Sequence, residues 1–138
     1  MTLETWSFVV STVALACSGY AIVVSKNVAR RTGVIDLHNA WNGVNDLDPT
    51  QMIGPDVRSA VNALELTATV WNHDVIEKNI VFQSYWEDFK RLYDVLLQCH
   101  TAIPGYRKTG NEFLTPNIRK AYHQMEQWAL SGVKQTRL

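Results

Sequence analysis

The chain has 138 residues, 46% of them hydrophobic, and its 13 basic and 13 acidic side chains cancel to a formal charge of zero. Overall neutrality argues against a dedicated nucleic-acid binder. Two cysteines, Cys17 and Cys99, cannot build a disulfide framework, which suits a reducing compartment.

The first element is the stretch "WSFVVSTVALACSGYAIVVSK", Trp6 to Lys26. No charged residue falls between Thr5 and Ser25. As an α-helix such a run is roughly 30 Å long, the thickness of a bilayer's hydrocarbon core. A cleavable signal needs a basic n-region and a short apolar stretch. Here Met1, Thr2, Leu3 and Glu4 precede the run, and apolar residues continue through "YAIVV". The "ALAC" at Ala14–Cys17 resembles a lipoprotein cleavage box, but with Ala in place of Leu three residues before the Cys. The favoured reading is a retained transmembrane anchor over residues 1–32. Lys26, Arg30 and Arg31 follow the span, while only Glu4 precedes it, so the basic flank is expected on the cytoplasmic side and the N-terminus outside. Trp6 fits the outer interface; Tyr20 lies deeper and suits a helix contact.

Within the span, Ser7, Ser11, Ala14, Ser18, Ala21 and Ser25 recur at alternating intervals of four and three. That is the 3.5-residue period of a left-handed helix pair, and small side chains let membrane helices approach closely. The spacing predicts a packing seam, either with a second copy or with a larger membrane-protein subunit.

Residues 33–54 form a joint. Val34, Ile35, Leu37, Trp41 and Val44 suit a short helix over a bundle, while Gly, Asn and Asp after Trp41 favour loop. Residues 55–138 are expected to be a cytoplasmic helical bundle of about three main helices, so the fold class is all-α. The first helix opens at "GPD" with Pro55 in its first turn, and its apolar stripe is Val57, Ala60, Val61, Leu64, Ala68 and Trp71. Arg58, Asn62, Glu65 and Asn72 are assigned to its wet side. Next, "DVIE" at Asp74–Glu77 has the residues of a capping box around a short helical turn. The second main helix reads from Asn79 to Pro104-Gly105, with Phe82, Tyr85, Trp86, Phe89, Leu92, Tyr93, Leu96 and Leu97 inward. Trp86 and Phe89 are both expected to be buried. The third opens at "TPN", with Thr115 as N-cap and Pro116 at the first helical position, and ends at Gly132. Its stripe is Ile118, Ala121, Tyr122, Met125, Trp128 and Ala129.

No catalytic constellation emerges. His38, His73, His100 and His123 show no metal spacing, and H-E-x-x-H, C-x-x-C, P-loop and G-x-S-x-G patterns are missing. Asp36 with His38, and His73 with Asp74, offer two ligands each only if the fold joins them. "DLDP" at Asp46–Pro49 lacks the rest of a calcium loop. No enzyme activity, metal or cofactor is therefore expected. Aromatic rings suit a core, with any excess marking a docking surface. Charge is sorted along the chain: residues 33–106 hold ten acidic and four basic side chains, residues 107–138 two acidic and six basic. Arg107, Lys108, Arg119 and Lys120, with Lys134 and Arg137 beyond, form a candidate site for an anionic ligand, lipid headgroups or an acidic partner.

A single N-terminal span followed by "RSAVNALELTATVWNHDVIEKNIVFQSYWEDFKRLYDVL" resembles small bacterial and phage-encoded membrane-anchored proteins of unknown function, over about the first 100 residues. The resemblance implies a bacterial inner-membrane location and a possible link to phage defence, with no site residues to carry over. The expected function is a non-enzymatic interaction protein, an accessory subunit or adaptor of a membrane complex. The alternative is an anchored sensor or effector that binds a small anionic ligand through its basic C-terminal third.

Overall fold

A computed structural model describes residues 2–136, with side chains up to Gly132. The fold is all-helical: α1 (Leu3–Asn42), α2 (Gly54–Asn72), α3 (Lys78–Leu97), a short 3-10 turn (Asn111–Phe113) and α4 (Pro116–Thr136). The chain divides into two compact units, Met1–Thr32 and Gly33–Leu138. The first unit is helix from Leu3 onward, and every described residue in it is exposed.

In the second unit, α2, α3 and α4 pack pairwise. The α2 face turned to the core is built largely of small residues, Ala60, Ala63, Thr67 and Ala68, with Val57, Leu64 and Trp71 beside them, all fully buried. Small side chains on α2 let the larger Ile118, Tyr122 and Met125 of α4 interdigitate. From α3 come Val81, Phe89, Leu92, Tyr93 and Leu96. The last turns of α1 join this core through Leu37, which is buried, and Trp41, which is half-buried. The Trp41 indole N–H donates to Thr67 Oγ1 at 2.9 Å, and that hydroxyl donates to the Ala63 carbonyl at 2.7 Å. Trp71 is satisfied likewise, donating to Gln124 Oε1 at 2.8 Å. Each ring thus buries its apolar body while its one polar atom keeps a partner.

Helix boundaries correct the sequence reading in three places. The "DVIE" segment is no capping box. Asp74 has φ 52°, a left-handed conformation, and terminates α2. Val75 N–H donates to the Val70 carbonyl at 3.1 Å and Asp74 N–H to the Trp71 carbonyl at 3.3 Å, the paired bonds of a Schellman motif. α3 then starts at Lys78 with Glu77 as its N-cap residue. Second, α3 stops at Leu97 and does not reach Pro104. Asn111 Nδ2 donates to the Leu97 carbonyl at 2.9 Å, and Asn111 N–H donates to the Cys99 carbonyl at 3.1 Å. A side chain from beyond the loop takes the carbonyl that a continuing helix would use. Third, α4 runs through Gly132 to Thr136, since a helical glycine costs only about 1 kcal/mol and stops a helix only where the backbone turns left-handed. Thr115 is the N-cap, as its spacing predicts: its Oγ1 accepts from Ile118 N–H at 3.3 Å.

The aromatic stripe is also uneven. Phe89 is fully buried, but Trp86 is half-buried and Trp128 is 39% exposed. Phe82, Trp86 and Trp128 share an edge where α3 meets α4. Phe82 stacks on Trp86 at 5.8 Å, while Trp128 meets Trp71 edge-on at 5.1 Å.

Candidate functional site

The α1 helix is long and apolar enough to cross a membrane, and none of its apolar window is buried. All six small seam residues, Ser7, Ser11, Ala14, Ser18, Ala21 and Ser25, lie in it and are exposed. Their hydroxyls are partly engaged within the helix: Ser11 donates to the Ser7 carbonyl and Ser18 to the Ala14 carbonyl, each at 2.8 Å. Thr12 does the same to Phe8 at 2.9 Å. Such back-bonding hides polar hydrogens from an apolar surrounding and leaves a narrow, low-relief strip. Lys26, Arg30 and Arg31 stand exposed on the same helix past the apolar run.

The basic C-terminal third does not behave as one patch. Arg107 and Lys108 are exposed in the loop between α3 and α4, with the Lys108 ammonium 5.8 Å from the centre of the Phe113 ring. Lys120 is exposed on α4. Arg119 is half-buried and committed to the fold. Its Nε donates to the Leu114 carbonyl at 3.0 Å, and its Nη2 to Asn111 O and Oδ1 at 3.1 and 3.0 Å. Arg119, a candidate binding cation in the sequence, thus clamps the segment that leads into α4. Lys134 and Arg137 lie outside the described side chains.

Two polar constellations escape a reading by residue type. One lies between α2 and the start of α4. Glu65 accepts from Thr115 Oγ1 at 2.6 Å and from Asn117 Nδ2 at 2.9 Å. Asn72 Nδ2 donates to Asn117 Oδ1 at 2.6 Å and to the Asn117 carbonyl at 3.1 Å. Glu65, Thr69 and Asn72 fall at intervals of four and three on α2, a polar stripe beside the apolar one, and that spacing is the signal that could have revealed it. The Glu65 carboxylate sits against the α4 N-terminus, where the helix dipole favours negative charge. The chain thus supplies its own anion there.

The other is a groove of about 280 Å³ in the second unit, between the end of α1 and α3. Tyr85, Asp88 and Arg91 fall three apart on one face of α3, and Trp41 and Asn42 close α1. Trp41 and Tyr85 stack at 5.7 Å and 21°. Arg91 Nη2 lies 3.1 Å from Asp46 and 2.8 Å from Asp88. Burial raises the pKa of the Tyr85 phenol. Asp46 comes from the 43–53 loop, which its own turn stiffens: Thr50 donates to Asp48 Oδ1 from both N–H and Oγ1, which lowers the Asp48 pKa.

The pairs Asp36–His38 and His73–Asp74 gain no third ligand. Among the described residues, no group of three or more His, Cys, Asp or Glu side chains could hold a metal ion. A cleft of about 230 Å³ beside Cys99, bounded by Met52 and Val95, has Asp94 on its wall. That carboxylate accepts from Tyr122 Oη at 3.1 Å and pairs with Lys90 at 2.6 Å.

Comparison with known proteins returns no relative: no family model, no curated protein and no solved structure matches the chain. The likeness to small membrane-anchored proteins thus rests on the residues alone.

Proposed function

We propose that the chain is a single-pass, membrane-anchored interaction protein without catalytic activity, acting as an accessory subunit or adaptor in a membrane complex. One observation carries the reading. The apolar run of α1 is fully exposed, while the second unit buries its own apolar residues in a separate core. So long an apolar surface has a stable place in hydrocarbon or against another apolar helix. The Lys26, Arg30 and Arg31 flank supports an inner-membrane orientation with Gly33–Leu138 in the cytoplasm. The seam of Ser7, Ser11, Ala14, Ser18, Ala21 and Ser25 supports contact with a second membrane helix, from another copy or from a larger subunit. The alternative, a sensor of small anions, keeps Arg107, Lys108 and Lys120 but loses Arg119 to the fold.

The test has two arms. A reporter active only in the cytoplasm, fused after Leu138, works if the orientation holds; activity of a reporter that needs the outside refutes it. Purification from native membrane then separates partner from self-association. A stoichiometric larger membrane protein supports the accessory role, a homo-oligomer moves weight to the effector reading, and a soluble monomer overturns both.

A further inference from the structure

We infer that the groove between the end of α1 and α3 binds an organic cation, a guanidinium or ammonium group, in the place that Arg91 now fills. The inference stands on the groove alone and is independent of the membrane reading.

Three features of the groove favour positive charge. The stacked rings of Trp41 and Tyr85 form one wall, and aromatic faces attract cations through their quadrupole. Trp41 is fixed for that role by its bond to Thr67 at 2.9 Å. Asp46 and Asp88 bring two carboxylates to the same groove from different elements. α1 ends there at Asn42 with no basic residue in its last turn, so the negative end of its dipole has no cation from its own helix. The volume, about 280 Å³, accommodates a guanidinium with part of its stem.

Arg91 is a weakly held occupant. Its side chain is 56% exposed, and both its ion pairs run through Nη2 alone. The two-nitrogen fork that makes guanidinium–carboxylate pairs strong is not used on either acid. Solvent-facing pairs of this kind are easily exchanged. An incoming cation therefore meets two carboxylates, with the two rings lining the same groove, at the cost of swinging one flexible side chain into water. The same chemistry comes from a free amine or from an Arg or Lys side chain of a docking segment. The acidic surplus of residues 33–106 favours approach of either.

The test uses the full chain in detergent micelles. Proton–nitrogen NMR follows the indole N–H of Trp41, assigned with Trp41→Phe. The probes are agmatine and an acetylated hexapeptide with two arginines, with sodium chloride at matched ionic strength as control. A saturable shift is expected with a guanidinium probe and none with salt. Arg91→Gln should tighten binding about threefold by removing the built-in competitor. Asp46→Asn with Asp88→Asn should weaken it by about tenfold or more. Tighter binding of the peptide than of agmatine assigns the site to a protein partner, and the reverse assigns it to a free amine. No saturable shift with either probe overturns the inference, as does binding that ignores the carboxylate changes. Should the double variant melt early, Arg91→Gln decides alone: unchanged or weaker binding refutes the site.

Discussion

The Thr115 hydroxyl donates to Glu65 Oε2 at 2.6 Å across 50 positions of sequence, and its oxygen accepts from Ile118 N–H at 3.3 Å. One side chain thus caps α4 and ties it to α2. Glu65 completes the arrangement by accepting from Asn117 at 2.9 Å. Replacing Glu65 with Ala strands two part-buried donors and should cost about 2–3 kcal/mol. Glu65→Gln keeps one acceptor and should cost roughly half as much. Urea unfolding of the full chain in micelles measures both; equal, negligible losses would mean water replaces the carboxylate freely.

Asp74 predicts a gain. A non-glycine residue in the left-handed region carries about 1 kcal/mol of strain, less for Asp than for most. Asp74→Gly should raise stability by about 0.5 kcal/mol, after losing an exposed 3.4 Å ion pair to Lys78 that is worth little. Asp74→Val, β-branched, should destabilise. Thermal melts of the two variants should move in opposite directions.

Arg119 and Lys120 are neighbours in sequence with different work. Arg119→Ala removes three bonds that hold Asn111 and Leu114 and should cost about 1–3 kcal/mol. Lys120→Ala should change stability by less than about 0.5 kcal/mol, because its charge is exposed. Equal melting temperatures would show that the clamp is dispensable.

Tyr122 sets an alkaline limit. Burial, with the bond to Asp94, raises the pKa of its phenol well above the ordinary value near 10. Burial raises Tyr93 as well, and the two rings stack 3.8 Å apart. The folded state then keeps protons that the unfolded chain gives up. Stability should be whole below pH 10 and fall above it, by up to about 1.4 kcal/mol per pH unit for each group. Tyr122→Phe should flatten that decline in melts between pH 9 and 11. An unaltered slope would place the loss elsewhere.

Sequence patterns reach as far as periodicity and local signals reach. The α2 stripe from Val57 to Trp71, Pro55 at its start and Thr115 before Pro116 all act within one helix, and each is visible in the residues themselves. Asp74 misleads because the same residue type serves an N-cap and a left-handed helix end; only the backbone distinguishes them. Glu65 and Asn72 read as wet-face residues and Arg119 as a candidate binding cation, since their partners lie on another element or in an irregular loop. Asn111, which ends α3, stands 14 residues beyond the carbonyl it takes. The groove draws on the end of α1, a loop and α3, so no single window of sequence contains it.

Gly54 couples two segments in time. A β-carbon there would lie 2.5 Å from the Pro104 carbonyl oxygen and 3.0 Å from the Tyr106 ring, so the loop rests directly on the first turn of α2. Gly105, at φ 84°, turns the loop so that Tyr106 N–H reaches the Ile103 carbonyl at 2.9 Å. Neither segment can loosen without uncovering the other. In hydrogen–deuterium exchange, the amides of Ile103, Tyr106 and Val57 should therefore open as one cooperative event with a common rate. A bulky residue at position 54 should split that event in two, leaving the loop to exchange early while α2 keeps its slow core.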